Sequence, residues 1–106
     1  MTAQTATVHI IEDRRPATLV LSGTVSTWIA DELFFAALRI SETDDDVVVD
    51  CAGVEHLGAA ALQILIALRK AVGHRGRTAT FVGLPAPVTQ LLSELGFAEP
   101  LGLSGH

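Results

Sequence analysis

Several residue types that carry chemistry are scarce in this sequence of 106 residues. Its one cysteine, Cys51, excludes an intrachain disulfide and favours a reducing, cytoplasmic location. Seven Lys and Arg residues stand against twelve Asp and Glu, and the net charge of −5 argues against nucleic acid as a partner. The polar N-terminus has no signal-peptide pattern, and the longest mainly apolar stretch, 57–68, is too short to span a bilayer. We therefore expect no direct membrane insertion.

Patterns typical of enzymes and metal sites are also missing. The four histidines are dispersed, and His56 has no second His or Cys at ligand spacing. The glycines form no nucleotide-binding motif. Cys51 continues an apolar run, where a free thiol behaves as a small buried hydrophobe. We expect a protein that is not an enzyme and has no cofactor or metal, while a phosphohistidine at His56 stays open.

What the sequence does have is an alternation of strand and helix patterns. It predicts the order ββαβαβα, with strands at 8–11, 17–21, 47–49 and 78–82 and helices at about 26–40, 58–72 and 85–95. Ser22-Gly23 is interpreted as the end of the second strand. The run Val47-Val48-Val49 does not alternate, which is typical of a central strand covered on both faces, so Val48 should be fully buried and Val48→Asp should prevent folding.

These elements predict one α/β domain over residues 1–106, with its core at about 7–103. The expected architecture is a mixed sheet of four or five strands with the helices mainly on one face, because a strand between two helices implies crossover connections and parallel pairing.

Several local segments, in this order and spacing, resemble the STAS domain, the family of the anti-sigma-factor antagonists. Leu21-Ser22-Gly23 is similar to the turn before the family's first helix, and the segment 47–54 is similar to its central strand and following turn. The segments 83–88 and 91–97 look like its last strand, last helix and closing Gly-hydrophobic turn. The resemblance implies the STAS fold and a non-catalytic protein-interaction module in bacterial signal transduction and regulation.

The sequence departs from this family at the position that is usually phosphorylated. Anti-sigma-factor antagonists carry a Ser or Thr at the start of the second helix, where this chain reads Gly58-Ala59-Ala60-Ala61-Leu62 and places Ala60 at the degenerate phosphosite. No Ser or Thr occurs from Asp44 to Arg77, and the chain has no Tyr. The module should therefore not be switchable by phosphorylation of a hydroxyl at the usual site.

The resemblance implies a protein partner, either an anti-sigma factor or a histidine-kinase-like ATPase. One alternative is a STAS subunit of a membrane transport complex of the phospholipid ABC type, whose partner would be an ABC ATPase subunit. Another is a STAS protein associated with bacterial chemotaxis, since such proteins resemble this chain in having a Gln at the position of Gln63 and no hydroxyl. A homodimer is left open by the sequence.

Two surfaces are candidates for binding the partner. The small residues Gly58, Ala59 and Ala60, with Gln63, would let another chain approach the start of the second helix closely. On the first helix, Leu33 and Ala37 set a core face and leave two aromatic residues, Trp28 and Phe35, on the opposite side, which often marks an interface. The alternative is that Trp28 folds under the preceding loop and Phe35 is an isolated apolar surface residue.

An apolar ridge on the second helix has two interpretations as well. Leu62 and Ile66 lie between the core stripe and the polar face at a helical period. They either complete the core or extend the partner surface from Ala59 and Ala60.

Overall fold

The computed structural model describes residues 6–13 and 15–103, so residues 1–5, 14 and 104–106 of the predicted domain lie outside it. The elements follow the order ββαβαβα, which confirms the predicted sequence of strands and helices. The strands are β1 (Ala6–Ile11), β2 (Ala17–Val25), β3 (Val47–Leu57) and β4 (Ala79–Val82). The α-helices are α1 (Ala30–Ser41), α2 (Ala59–His74) and α3 (Ala86–Glu94), and a 3-10 turn at Thr27–Ile29 precedes α1.

The four strands form one mixed sheet in the order β1-β2-β3-β4. β1 and β2 pair antiparallel as a hairpin, whereas β2–β3 and β3–β4 pair parallel. Each parallel pair is connected by a helix, α1 and then α2, as crossover connections require. The sheet confirms the expected mixed architecture and places β3 between two other strands.

The hydrophobic core lies between one face of the sheet and the helices. Alternate residues of β2 and β3 are buried there together with the inner stripes of α1 and α2. The largest fully buried side chains include Leu19, Leu21, Val49, Leu33 and Leu65. These strand and helix stripes match the periods of two and 3.6 from which the elements were predicted.

The opposite face of the sheet is only partly covered. Val47 and Val49 are buried, but Val48 points to the other side and is half-buried. The prediction that Val48 is fully buried is wrong, because the helices pack against one face of β3 and not against both. Three valines in a row are compatible with either environment, since a valine also suits the open face of a sheet.

β3 is much longer than the three residues predicted for it. Its register with β2 shifts twice, once between Val20 and Ser22 and once between Gly23 and Thr24, and each shift adds one residue to β3. The buried residues after Cys51 are therefore Val54 and Leu57, three apart in place of two. This loss of alternation is the reason that the segment looks like a loop in the sequence.

β2 also continues past the turn predicted at Ser22-Gly23. Gly23 has a positive φ of 78° and pairs with Val54, and the strand ends only at Val25. A glycine adopts this backbone conformation without strain, so here it marks a bulge inside a strand and not the end of one.

The three helices lie close to their predicted bounds. The first begins late, since the residues after Ser26 form the 3-10 turn and α1 starts at Ala30. α2 runs two residues further than predicted, to His74. Within the described ranges, none of the helices combines the length and apolarity needed to cross a membrane.

Candidate partner-binding surface

The start of α2 is fixed against the end of β2 by backbone contacts. The Gly58 N–H donates to the Val25 carbonyl oxygen at 2.8 Å, at the point where β3 ends. An added Cβ at position 58 would make ordinary van der Waals contact with Ser26, 3.4 Å from its Cα. The hydrogen bond and this close packing hold the first turn of α2 beside β2 and the 3-10 turn.

The first turn of α2 presents small side chains and backbone rather than reactive groups. Gly58 is the N-cap residue and has no side chain with which to cap the helix. Ala59 is exposed, Ala60 is half-buried and Ala61 is fully buried. The first N–H groups of a helix have no partner within it, so this turn can donate hydrogen bonds to a carboxylate or carbonyl oxygen of another chain.

An apolar groove between α1 and α2 extends along the surface from this helix start. It encloses about 240 Å³, and Gln63 and Ser41 are the polar side chains among the residues that line it. Its apolar lining comes from both helices: Phe34, Ala37, Leu38, Ile64, Ala67, Leu68 and Ala71. We call this surface the α1–α2 groove. Gln63 lies about one turn of α2 beyond Ala60, so the groove and the helix start are neighbours.

Two of the groove's largest side chains are absent from the predicted site. Phe34 and Leu38 are about half exposed, at 50% and 49%, and both lie on α1. Their i, i+4 spacing could have revealed a second apolar stripe beside the core stripe that contains Leu33 and Ala37.

The two aromatic residues predicted on the first helix are both exposed, at 56% for Trp28 and 65% for Phe35. Trp28 belongs to the 3-10 turn, and its exposure argues against the alternative in which it folds under the preceding loop. Phe35 contacts Phe34 edge to face, with ring centroids 5.5 Å apart. However, Phe35 lines a different cleft, beside β1, so the structure does not bring Phe35 and Gln63 together on one surface.

The ridge predicted on α2 belongs mainly to the core. Leu62 is buried, and Ile66 is half-buried and packs against the core. Ile64, on the neighbouring side of the helix, is only partly buried and lines the α1–α2 groove.

The thiol and imidazole groups near this surface do not form a reactive centre. Cys51 is fully buried in β3, and burial followed by the negative charge of Asp50 raises the pKa of its thiol to about 12. His56 is exposed near the end of the same strand. In the part of the chain that the structure describes, no three His, Cys, Asp or Glu side chains are grouped so that they could hold a metal ion.

Comparisons with known proteins agree with this architecture. A family model described as "Mlab, STAS domain" matches residues 8–103. Among 16 matching chains of solved structures is that titled "The overall structure of SLC26A9", with a TM-score of 0.56 and 15% sequence identity. That match covers 84% of this chain but only 17% of the SLC26A9 chain, so the likeness is one of fold. No curated protein sequence matches the chain closely enough to count as a relative.

Proposed function

The chain belongs to the STAS domain family, and we propose that it binds a regulatory protein partner through the start of α2 and is not itself an enzyme. STAS domains are general scaffolds for protein interaction and regulation, and they are generally non-catalytic. The proposal treats residues 1–106 as one such domain with its core at about 7–103.

The observation that carries the proposal is the combination of a bare helix start with a neighbouring apolar groove. Ala59 and Ala60 leave the first turn of α2 accessible to backbone from another chain, and the α1–α2 groove offers apolar area one turn away. In protein interfaces most of the binding energy usually comes from a few side chains that are buried in such grooves, with polar contacts around them.

The methyl group of Ala60 removes phosphorylation at this position as a means of regulating the interaction. A phosphate on a hydroxyl at this position would add a charge of about −1.5 to −2. Electrostatic repulsion and the cost of desolvating the phosphate would then weaken the binding of a partner. Since Ala60 cannot carry a phosphate, we propose that the surface stays competent for binding whether or not a kinase is active. The protein would then act as a constitutive scaffold.

The partner that we favour is an anti-sigma factor or a histidine-kinase-like ATPase of a bacterial signalling pathway, in the cytoplasm. The order and spacing of the segments that resemble anti-sigma-factor antagonists support this choice. A lone buried cysteine is compatible with a reducing cytoplasm.

A second candidate function follows from the family match. The matching model bears the name Mlab, and the sequence also resembles the STAS subunit of phospholipid-transport ABC systems, whose partner is an ABC ATPase subunit. A chemotaxis-associated STAS protein is a further form of the signalling proposal, supported by Gln63 and the missing hydroxyl. These proposals use the same surface and differ in the partner.

The partner can be identified by affinity purification of the tagged protein from its native cells, followed by mass spectrometry and direct binding of the purified candidates. Recovery and direct binding of an anti-sigma factor or a histidine-kinase-like ATPase would support the signalling proposal. An ABC ATPase subunit would support the transport proposal. If this chain binds neither a signalling partner nor an ABC ATPase subunit, both proposals are contradicted.

The surface is tested with one substitution made at the start of two different helices. Ala60→Glu should weaken partner binding by about 1–3 kcal/mol, because it places a charge that must be desolvated in the interface. Ala86→Glu is the matched control, since Ala86 is exposed in the first turn of α3. Both substitutions should leave the melting temperature nearly unchanged, because an acidic residue is favourable in a first helical turn.

Affinities measured by calorimetry for the two variants decide the location of the interface. Equal affinity of wild type and Ala60→Glu would show that the partner binds elsewhere. If Phe35→Ala alone reduced affinity, the interface would lie on the outer side of α1, beside β1.

A further inference from the structure

The outer edge of β1 is long, uncharged and accessible. β1 is the first strand of the sheet, and its six residues, Ala6–Ile11, include none of the charged or proline residues that usually protect an edge strand. Within residues 6–13 and 15–103, no other strand pairs with this edge. The opposite edge strand, β4, has only four residues. An edge of this kind can pair with a strand from another chain.

A cleft runs beside this edge, between β1 and α1. It encloses about 840 Å³ and is lined by the continuous run from Val8 to Asp13. The helix contributes one stripe at the spacing i, i+3, i+4 and i+7, namely Glu32, Phe35, Ala36 and Arg39. Phe35 is the most exposed large apolar residue among those described. We call this surface the β1–α1 cleft.

The direction of α1 relative to β1 follows from the topology. α1 connects the parallel strands β2 and β3, so it runs antiparallel to β2. β1 is also antiparallel to β2, so α1 and β1 run in the same direction. The Arg39 guanidinium pairs with the Glu12 carboxylate at 2.8 Å, which places the last turn of α1 beside the end of β1. The strand edge and the helix stripe therefore run side by side in the same direction.

We propose that a second copy of this chain occupies the cleft. The two copies would pair β1 with β1 antiparallel, about a two-fold axis perpendicular to the sheet, and form one continuous sheet. The same axis makes the two α1 helices antiparallel neighbours. Such an interface is isologous, so each residue meets its counterpart reciprocally.

The charges on the α1 stripe are self-complementary under this symmetry. The stripe is centred between Phe35 and Ala36, so an antiparallel copy sets Phe35 against Ala36 and Glu32 against Arg39, twice in the dimer. Arg39 also pairs with Glu12 of its own chain, so in the dimer its guanidinium would lie between Glu12 and the second copy's Glu32. An apolar centre with complementary charges at its two ends suits an interface between two copies.

The end of β1 adds a second argument for antiparallel self-pairing. The acidic pair Glu12 and Asp13 follows the strand directly. Antiparallel pairing puts the two acidic ends at opposite extremes of the interface, whereas parallel pairing would set like charges side by side at a cost in free energy. The cleft thus favours a second copy in one orientation.

The test is a charge swap followed by sedimentation equilibrium of the full chain. Wild type should show a monomer–dimer equilibrium at concentrations between ~10 µM and ~1 mM, as expected for a small interface. Glu32→Arg and Arg39→Glu should each raise the dimer dissociation constant about 10-fold or more, because each places like charges opposite one another at two sites. Arg39→Glu also removes the pair with Glu12 within the chain, so Glu32→Arg, which leaves that pair intact, is the decisive single variant. The double swap should recover part of the dimerisation that either single variant loses.

The control for Glu32→Arg is Glu94→Arg, which makes the same change in net charge at the exposed end of α3 and should leave the dimer unchanged. Hydrogen exchange of β1 should also slow with concentration for those N–H groups that do not bond to β2. A protein that is monomeric at ~1 mM overturns the proposal. So does a dimer that neither single charge variant weakens, or an outer edge of β1 that is already protected in the monomer.

Discussion

At the scale of single residues, Val48 and Val49 are neighbours in β3 with the same side chain and opposite environments. Val49 is fully buried in the core, whereas Val48 is half-buried on the open face of the sheet. Val49→Asp should therefore destabilise the fold by more than ~4 kcal/mol, because it buries an unpaired charge. Val48→Asp should cost about 1–2 kcal/mol.

Urea unfolding followed by circular dichroism separates these two variants. Val48→Asp should remain soluble and unfold cooperatively, in contrast to the expectation from the sequence that it prevents folding. If both variants fail to fold, the open face of the sheet is covered in solution.

The thiol of Cys51 should be unreactive in the native protein. Burial and the neighbouring Asp50 raise its pKa from 9.0 to about 12, so the reactive thiolate is almost absent near neutral pH. A thiol reagent at pH 8 should label the chain only after unfolding in guanidinium. Rapid labelling without denaturant would show that β3 opens locally or that Cys51 is accessible.

The same pKa has a consequence for stability at high pH. Above pH 9 the unfolded state loses the thiol proton, whereas the folded state keeps it. The contribution of this group to the free energy of unfolding is therefore complete below pH 9. It is lost progressively as the pH rises from 9 towards 12. Cys51→Ala should reduce the alkaline loss of stability, measured as the difference in urea midpoint between pH 8 and pH 11.

At the scale of elements, the bulged strand β3 depends on a glycine at one close approach. A Cβ added at Gly53 would lie 2.9 Å from Cβ of Ser22 in the neighbouring strand, closer than side chains normally come. Gly53→Ala should therefore destabilise the fold by about 1–3 kcal/mol. Gly73→Ala is the matched control, because an added Cβ near the end of α2 would meet nothing within 4 Å.

The control should stabilise the protein by up to about 1 kcal/mol, since alanine has the higher helix propensity. Both variants can be compared with wild type by urea unfolding at one pH. An unchanged midpoint for Gly53→Ala would mean that β2 and β3 separate easily at the bulge.

The element order could be predicted from the sequence because each strand and helix has its own apolar period. The second half of β3 could not be predicted. Its two bulges space the buried residues Cys51, Val54 and Leu57 three residues apart, so the alternation typical of a strand is lost. Gly23 was mistaken for the end of β2 because a glycine in a turn and a glycine in a bulge have the same local signature.

The candidate surface was predictable only in part. The first turn of α2 is local, so its small residues could be recognised in the sequence. The α1–α2 groove depends on how the two helices pack, and nothing local shows that Phe34 and Gln63 line one groove while Phe35 faces β1. Surfaces made by two elements require the tertiary structure.

At the scale of the whole molecule, the chain should be inert to the kinases that modify related domains. Ala60 occupies the usual position, and the sequence from Asp44 to Arg77 has no hydroxyl residue. Incubation with ATP and a kinase active on a phosphorylatable STAS protein should leave the intact mass unchanged. Ala60→Ser is the positive control, because it restores a hydroxyl at the start of α2. A phosphate on His56 in the wild type would contradict the proposed constitutive state.

The shallow attachment of α3 has a consequence for how the molecule opens. Val88 and Leu92 are its buried residues, while Leu91 on the same helix and Leu95 directly after it are exposed. Because little apolar area holds α3 against β3, its detachment should need much less free energy than global unfolding. We expect its amide protons to exchange with solvent well before those at the centre of β2, through a partly open form in which the other elements remain folded.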